Sequence, residues 1–135
     1  MHRILFLDLP HVLVVNGKVS LDAIAVLNDL TGGTGADLVL LSTWPDDLTF
    51  DDIRTALRFA GVTANIAACT PCVPVLGRCG EVQMWLDEWR WTVAAFAILS
   101  ADSEFKEEFG PLFIECDDPD GLTVEIAKRV AAVVG

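Results

Sequence analysis

The chain has 135 residues and a formal net charge of -11 at pH 7, with nine Lys and Arg against twenty Asp and Glu. Proteins that grip long nucleic acid do so largely through Lys and Arg on phosphates, and no basic run exists here, so stable binding to long nucleic acid is excluded while one terminal phosphate in a small pocket is not. Hydrophobic residues make up 53% of the chain, enough for one ordered core, yet no apolar run approaches the length needed to cross a bilayer.

Asp8 and Pro10 interrupt the only apolar run near the start, so no signal peptide is expected there. The expectation is a soluble cytoplasmic protein whose residues 1–135 form a single domain.

In chain order, Arg3 to Leu9 reads as a strand apolar enough to be buried on both faces. "VLVVNGKVS" reads as a small hairpin with Asn16-Gly17 in its turn, a pair that tolerates positive φ at both positions. Ser20 is placed to cap a helix over Leu21 to Leu30. "TGGTG" then ends that helix. Phosphate-cradling glycine loops run from strand to helix, and this one runs from helix to strand, so its glycines read as a cap and a turn. "DLVLLS" is the second strand of the series and "FDDIRTALRFAG" the next helix, with Gly61 as its C-terminal cap. "VTANIA", "TVAAFAIL" and "PLFIE" read as further strands, and "GEVQMWLDEW" as a helix. Thr123 caps a last helix through Val134, with Glu125 in its first turn.

Alternating strands and helices predict an α/β sandwich with a mostly parallel five-stranded sheet. Ligands of such sheets gather beyond the carboxyl ends of the strands. That rule places Asp8, Ser42, Thr43, Ser100, Ala101 and Asp102 along one edge, within reach of Arg78 at the start of a helix.

Those segments carry a resemblance. "ILFLDLPHVLV", "TGADLVLLSTW", "TPCVPVLGRCGEVQMWL", "FAILSADSE" and "LFIECDDPDGLT" resemble, in order, the motifs of the haloacid dehalogenase (HAD) superfamily, in particular a small cap-less branch described as the HAD domain of multifunctional RNA-repair proteins. The resemblance implies a three-layer, Rossmann-like (HAD-like) sandwich in which the hairpin around Asn16-Gly17 is a flap and no cap domain is inserted. It implies Asp8 as the nucleophile that takes up a phosphoryl group. It implies Ser42, with Thr43 beside it, as a phosphate ligand through its hydroxyl and neighbouring amides, and Arg78 as the cation that offsets charge on phosphate and nucleophile. A Mg²⁺ ion would be held by the Asp8 carboxylate, the backbone carbonyl of Pro10 and an acid after the fourth strand.

The departures from that pattern carry the functional expectation. The family places a second Asp, the general acid and base, at the position of Pro10, which can do neither. Ser100 and Ala101 stand where a pair of acids is usual, leaving Asp102 one residue displaced as metal ligand. Magnesium wants a hard octahedral oxygen set, so Mg²⁺ fits this set weakly and the absence of any cofactor is an equal expectation. Trp44-Pro45 replaces the usual trp-arg. Histidine is the residue type suited to stand in as an acid near neutral pH, which makes His11 the candidate substitute, although it leaves the strand in another direction from Pro10.

Other features have plainer readings. Cys69 and Cys72 form "CTPC", and with Cys79 and Cys116 they raise the question of a zinc site, but the spacing is irregular and reduced, mostly buried thiols are expected. Trp85, Trp89 and Trp91 read as core packing or an oligomer face, with the oligomeric state open. "ECDDPDG" reads as a solvated turn. The function expected is that of a phosphohydrolase-type domain with degenerate motifs, weak or inactive, binding a small phosphoester or a protein partner and no membrane. The alternatives are a working phosphatase on a nucleotide or RNA-end phosphate, and a metal-independent dehalogenase-like hydrolase acting through Asp8.

Overall fold

The computed structural model describes residues 1–135. Its sheet is built from β1 (His2–Leu7), β4 (Asp37–Leu40), β5 (Ile66–Cys69), β6 (Val93–Ser100) and β7 (Phe113–Glu115), in the order β5-β4-β1-β6-β7 and parallel throughout. A separate two-stranded hairpin, β2 (Val14–Val15) with β3 (Lys18–Val19), is the expected flap. Asn16 and Gly17 form its turn at φ 53° and 75°, both in the left-handed region that this turn demands.

Two layers of helix sandwich the sheet. Successive strand residues point to opposite faces, so each strand splits its apolar side chains between two cores. Leu5, Leu7, Leu38, Leu40 and Leu99 face α1 (Leu21–Thr34), α2 (Phe50–Ala60) and α5 (Val124–Val134). Ile4, Phe6, Val39 and Ile98 face α3 (Gly77–Trp89) and the short α4 (Phe105–Phe109). Trp85 is buried edge-on against Phe6, with ring centroids 5.4 Å apart, while Trp91 is 82% exposed. Only the first of the three tryptophans is a core residue in full.

Helix starts follow the local chemistry of their caps. Ser20 accepts from the Ala23 amide and Thr123 from the Ile126 amide. Thr49 and Asp52 form a reciprocal capping box at the start of α2. Several boundaries differ from the sequence expectation, and for three of them the hydrogen bonding shows the physical cause. Helix α1 continues through Gly32 and Gly33 to Thr34, and only Gly35, at φ 72°, ends it. The extra turn is tolerated because the buried Thr31 and Thr34 hydroxyls donate to the Leu27 and Leu30 carbonyls at 3.0 and 2.9 Å. Strand β5 begins at Ile66 instead of Val62. The Asn28 side chain donates to the Gly61 carbonyl and accepts from the Thr63 amide, tying that backbone to α1 before it can join the sheet. Helix α3 begins at Gly77, a turn earlier than the apolar pattern indicates, and α4 was not expected. Strand β1 ends at Leu7, because the Leu9 carbonyl turns back to accept from the Val12, Leu13 and Val14 amides.

The closing "GLT" segment locks the flap to the body. Leu122 donates its amide to the Val12 carbonyl at 2.9 Å. Gly121 sits at φ 80°, and a Cβ there would lie 2.5 Å from the Val12 carbonyl oxygen and 2.9 Å from the Val15 side chain. Gly121→Ala is therefore expected to lower stability by about 1–3 kcal/mol, through left-handed strain and overpacking together. Gly33→Ala, in a helix with no neighbour within 4 Å of the added carbon, should be neutral or raise stability by up to about 1 kcal/mol. Chemical denaturation of both variants checks the contrast.

Candidate functional site

Strand β1 is central, and the chain crosses over to β4 on one side and to β6 on the other. The end of β1 is thus the switch point of the sheet, where a crevice opens between loops that diverge. Backbone bonds carry the strand ends into register there: Leu41 donates to Leu7, Asp8 to Leu99, Thr70 to Leu40 and Cys116 to Ser100. Asp8 lies one residue past β1 and is only 4% exposed.

A buried carboxylate is costly unless it is paired and hydrogen-bonded. Arg78, from the first turn of α3, donates through Nη2 to Asp8 Oδ2 at 2.7 Å and through Nη1 to Asp102 Oδ2 at 3.0 Å. Ser100, fully buried at the end of β6, donates its hydroxyl to the same Asp8 Oδ2 at 2.7 Å. The Ser100 Oγ in turn accepts the Asp102 amide at 3.0 Å, which fixes the rotamer. Beneath the guanidinium lies the Phe105 ring, 5.2 Å from Cζ to centroid. Burial pulls the Arg78 pKa down, but the bonds to and charges of Asp8 and Asp102 outweigh it and hold the guanidinium more firmly protonated. Asp102 balances the other way. Burial raises its pKa, while the Glu104 amide and Arg78 lower it further, so the carboxyl stays below its usual range. Asp8 Oδ1, by contrast, is buried with no hydrogen-bond partner.

Over this cluster opens a cleft of about 510 Å³, lined by Asp8, Arg78 and Asp102 and by Pro10, His11, Thr43, Asp117 and Asp118 among others. Beside it, sharing Pro10, His11 and Thr43, is a second hollow of about 600 Å³ under the flap, floored by Leu9, Val14, Val15 and Trp44. His11 is held at φ 65°, an uncommon conformation for a residue with a side chain and one that His tolerates better than most. Cys116 also lines the cleft, but burial and the Asp117 and Asp118 charges push its thiol up to about 11. Cys79 is pushed up to about 12 by burial and by Glu108. Neither thiol supplies a thiolate near neutral pH.

Of the residues singled out in the sequence, Asp8, Pro10, His11, Thr43, Arg78 and Asp102 come together at one cleft. Ser42 does not line it. Its hydroxyl donates to the Thr70 carbonyl and its amide to the Thr70 hydroxyl at 3.2 Å, so its polar groups are turned to the end of β5. Trp44 packs against the core and floors the flap hollow. The acidic turn is solvated as expected, with Asp118 accepting the Asp120 amide at 2.9 Å, and it also brings Asp117 and Asp118 to the rim of the cleft. The strand-end rule places Ser100 at this edge, where the resemblance has an acid, but its part as a donor to Asp8 follows only from the packed strand ends. One further contributor has no signal in the sequence pattern. Glu81 is buried and accepts the Val73 amide at 2.6 Å, which pins the loop leading into Arg78.

The donor set does not fit the magnesium ion that the resemblance implies. Asp8 Oδ2 is taken by Arg78 and Ser100, and Asp102 has Oδ2 on Arg78 and Oδ1 on the Glu104 amide. One unpartnered carboxylate oxygen and the Pro10 carbonyl fall short of the hard oxygen cage this ion requires. No group of three or more His, Cys, Asp or Glu side chains stands close enough to hold a metal, which also separates the four cysteines from a zinc arrangement. No helix is long and apolar enough to cross a membrane.

No curated protein and no solved structure matches the chain. A sequence model of the family described as the HAD domain in Swiss Army Knife RNA repair proteins matches residues 4–127, which take in the parallel sheet, the flap, Asp8, Arg78 and Asp102. With nearly its whole length matched and Asp8 at the switch point of a parallel sheet, the chain belongs to this family of HAD domains.

Proposed function

We propose that this HAD domain is of the phosphohydrolase type with degenerate catalytic positions, so that it binds phosphate-like oxyanions or a protein partner and turns phosphoesters over weakly or not at all. The observation that carries the reading is the Arg78 guanidinium held on Asp8 at the floor of an open cleft, with a proline at its mouth where an acid is needed.

The chemistry of these residues runs as follows. Asp8 Oδ1 is free of hydrogen bonds while Arg78 and Ser100 hold Oδ2, but it is buried, so attack on phosphorus requires the carboxylate to turn that oxygen into the cleft. The P–O bond to the leaving group breaks with both electrons on that oxygen, which then needs a proton. Pro10 has none to give. An activated aryl leaving group departs as its anion, whereas an alkoxide does not. General acid assistance is worth roughly 10²–10⁴ in rate. Hydrolysis of the aspartyl phosphate needs a base for water, and the same position is again empty-handed. Charge limits the ligand as well. Asp8, Asp102, Asp117 and Asp118 line the cleft against the single Arg78, so a compact monoester suits it better than a polyphosphate.

A second reading, a working phosphatase on a nucleotide or RNA end, is favoured by one observation: His11 lines the cleft beside Pro10 and is held there at φ 65°. As an imidazolium it could protonate a leaving oxygen. The metal-independent dehalogenase reading gains support only from the donor set, which leaves Asp8 without an obvious metal partner. Cytoplasmic location and the choice between phosphoester and protein partner belong to this proposal as well.

Three measurements bear on it. Pro10→Asp should raise hydrolysis of an alkyl phosphate by roughly 10²–10⁴-fold over the wild type, read as released phosphate, and Asp8→Asn on top should remove the gain. An unchanged rate in a folded Pro10→Asp protein would count against a missing acid as the block. His11→Asn, which keeps the left-handed backbone accessible, should leave the residual rate within a few-fold; a loss near 10²-fold would favour the working phosphatase. The third concerns pH. Because the Asp102 carboxyl titrates lower folded than unfolded, its contribution to stability is complete above about pH 4 and lost as pH falls through the folded value. The Tm gap between wild type and Asp102→Asn should therefore narrow below about pH 4.

A further inference from the structure

The disagreement between the donor set and a magnesium ion has a specific cause. Two carboxylates beyond the ends of neighbouring strands, Asp8 and Asp102, are joined by the two amino groups of one guanidinium, that of Arg78. The guanidinium is held at both amino groups and on one face, and is open to the cleft elsewhere. Its carboxylate bonds are 2.7 and 3.0 Å, its face lies on the buried Phe105 ring, and the loop leading into it is pinned by Glu81. A guanidinium stays charged at any accessible pH and offers its donors in a fixed planar fork, so it can bridge two carboxylates as a permanent ligand. Ser100 completes the exchange. Where an acid would add a further negative charge for a metal to neutralise, its hydroxyl adds a neutral donor to Asp8 Oδ2 and suits a site with only one positive charge.

We propose that the Arg78 guanidinium occupies the place of the divalent cation: it bridges Asp8 and Asp102, makes oxyanion binding at the cleft independent of added metal, and, when its head group is removed, leaves behind a divalent-cation site. The anion arm of this inference rests on the function proposed above; the cation arm does not.

The probe for the cation arm is Mn²⁺ alone, followed by its EPR signal and by the shift it causes in Tm. Wild type is expected to give neither binding nor a Tm shift. Arg78→Ala, and Arg78→Met, which keeps an apolar stem over Phe105, are expected to bind Mn²⁺ at least tenfold more tightly than wild type. Mn²⁺ should raise their Tm, and Asp8→Asn in the same background should abolish both effects. Tight Mn²⁺ binding by the wild type that Asp8→Asn removes would overturn the inference, as would two folded Arg78 variants that gain no affinity. Should both variants fail to fold even with Mn²⁺ present, the wild-type titration decides. For the anion arm, inorganic phosphate is titrated calorimetrically in EDTA and again in Mn²⁺. Equal affinity supports metal independence, and binding only with Mn²⁺ refutes it while leaving the proposed function standing. Binding in neither condition defeats the oxyanion branch of the proposed function together with the anion arm, and leaves the cation arm to the Mn²⁺ result.

Discussion

A carboxylate withdrawn from water at the end of a central strand must find a cation, and in this chain that cation comes from 70 residues away. Asp8 is buried because β1 is the middle strand and its neighbours β4 and β6 are paired to it up to their ends. Once it is buried, the first turn of α3 has to deliver Arg78 to it, and the Glu81–Val73 contact holds the loop that makes the delivery. Breaking one side of such a buried pair typically costs about 3–5 kcal/mol, because the charge left behind has no partner. Site and fold are therefore joined at one ion pair.

The same pair accounts for the electrostatic character of the cleft. One guanidinium is divided between Asp8 and Asp102, and Ser100 supplies a neutral donor to the more buried of the two. Around them the rim is acidic, and the chain as a whole is strongly so. The positive field available to an incoming anion is thus local, a few ångströms in reach, with nothing beyond it to steer a polyanion. This agrees with the absence of any basic run in the sequence.

The flap adds an apolar floor next to that charged cluster. Val14, Val15 and Trp44 line a hollow that shares Pro10 and His11 with the cleft, and the bond from the Leu122 amide to the Val12 carbonyl ties the flap to the body. Trp44 stands where the resemblance also has a tryptophan, and it is Pro45 beside it that takes the place of the charged side chain.

Sequence by itself determined the alternation of strands and helices, the hairpin turn, the helix caps at Ser20, Gly61 and Thr123, and the assembly of Asp8, Thr43, Arg78 and Asp102 at one sheet edge, because each rests on short-range stereochemistry or on the rule that parallel strands present their carboxyl ends together. Tertiary structure alone decided the rest. Helix α1 outran its glycines because two buried threonines could satisfy their own hydroxyls, and β5 started late because Asn28 captured the backbone before it. Ser42 turned toward Thr70 and Ser100 toward Asp8, choices between competing partners on different strands that no spacing along one strand encodes. Whether Arg78 would lie free in solvent or between two carboxylates depended on the depth of Asp8 and the entry angle of α3, and both are properties of the packed sheet.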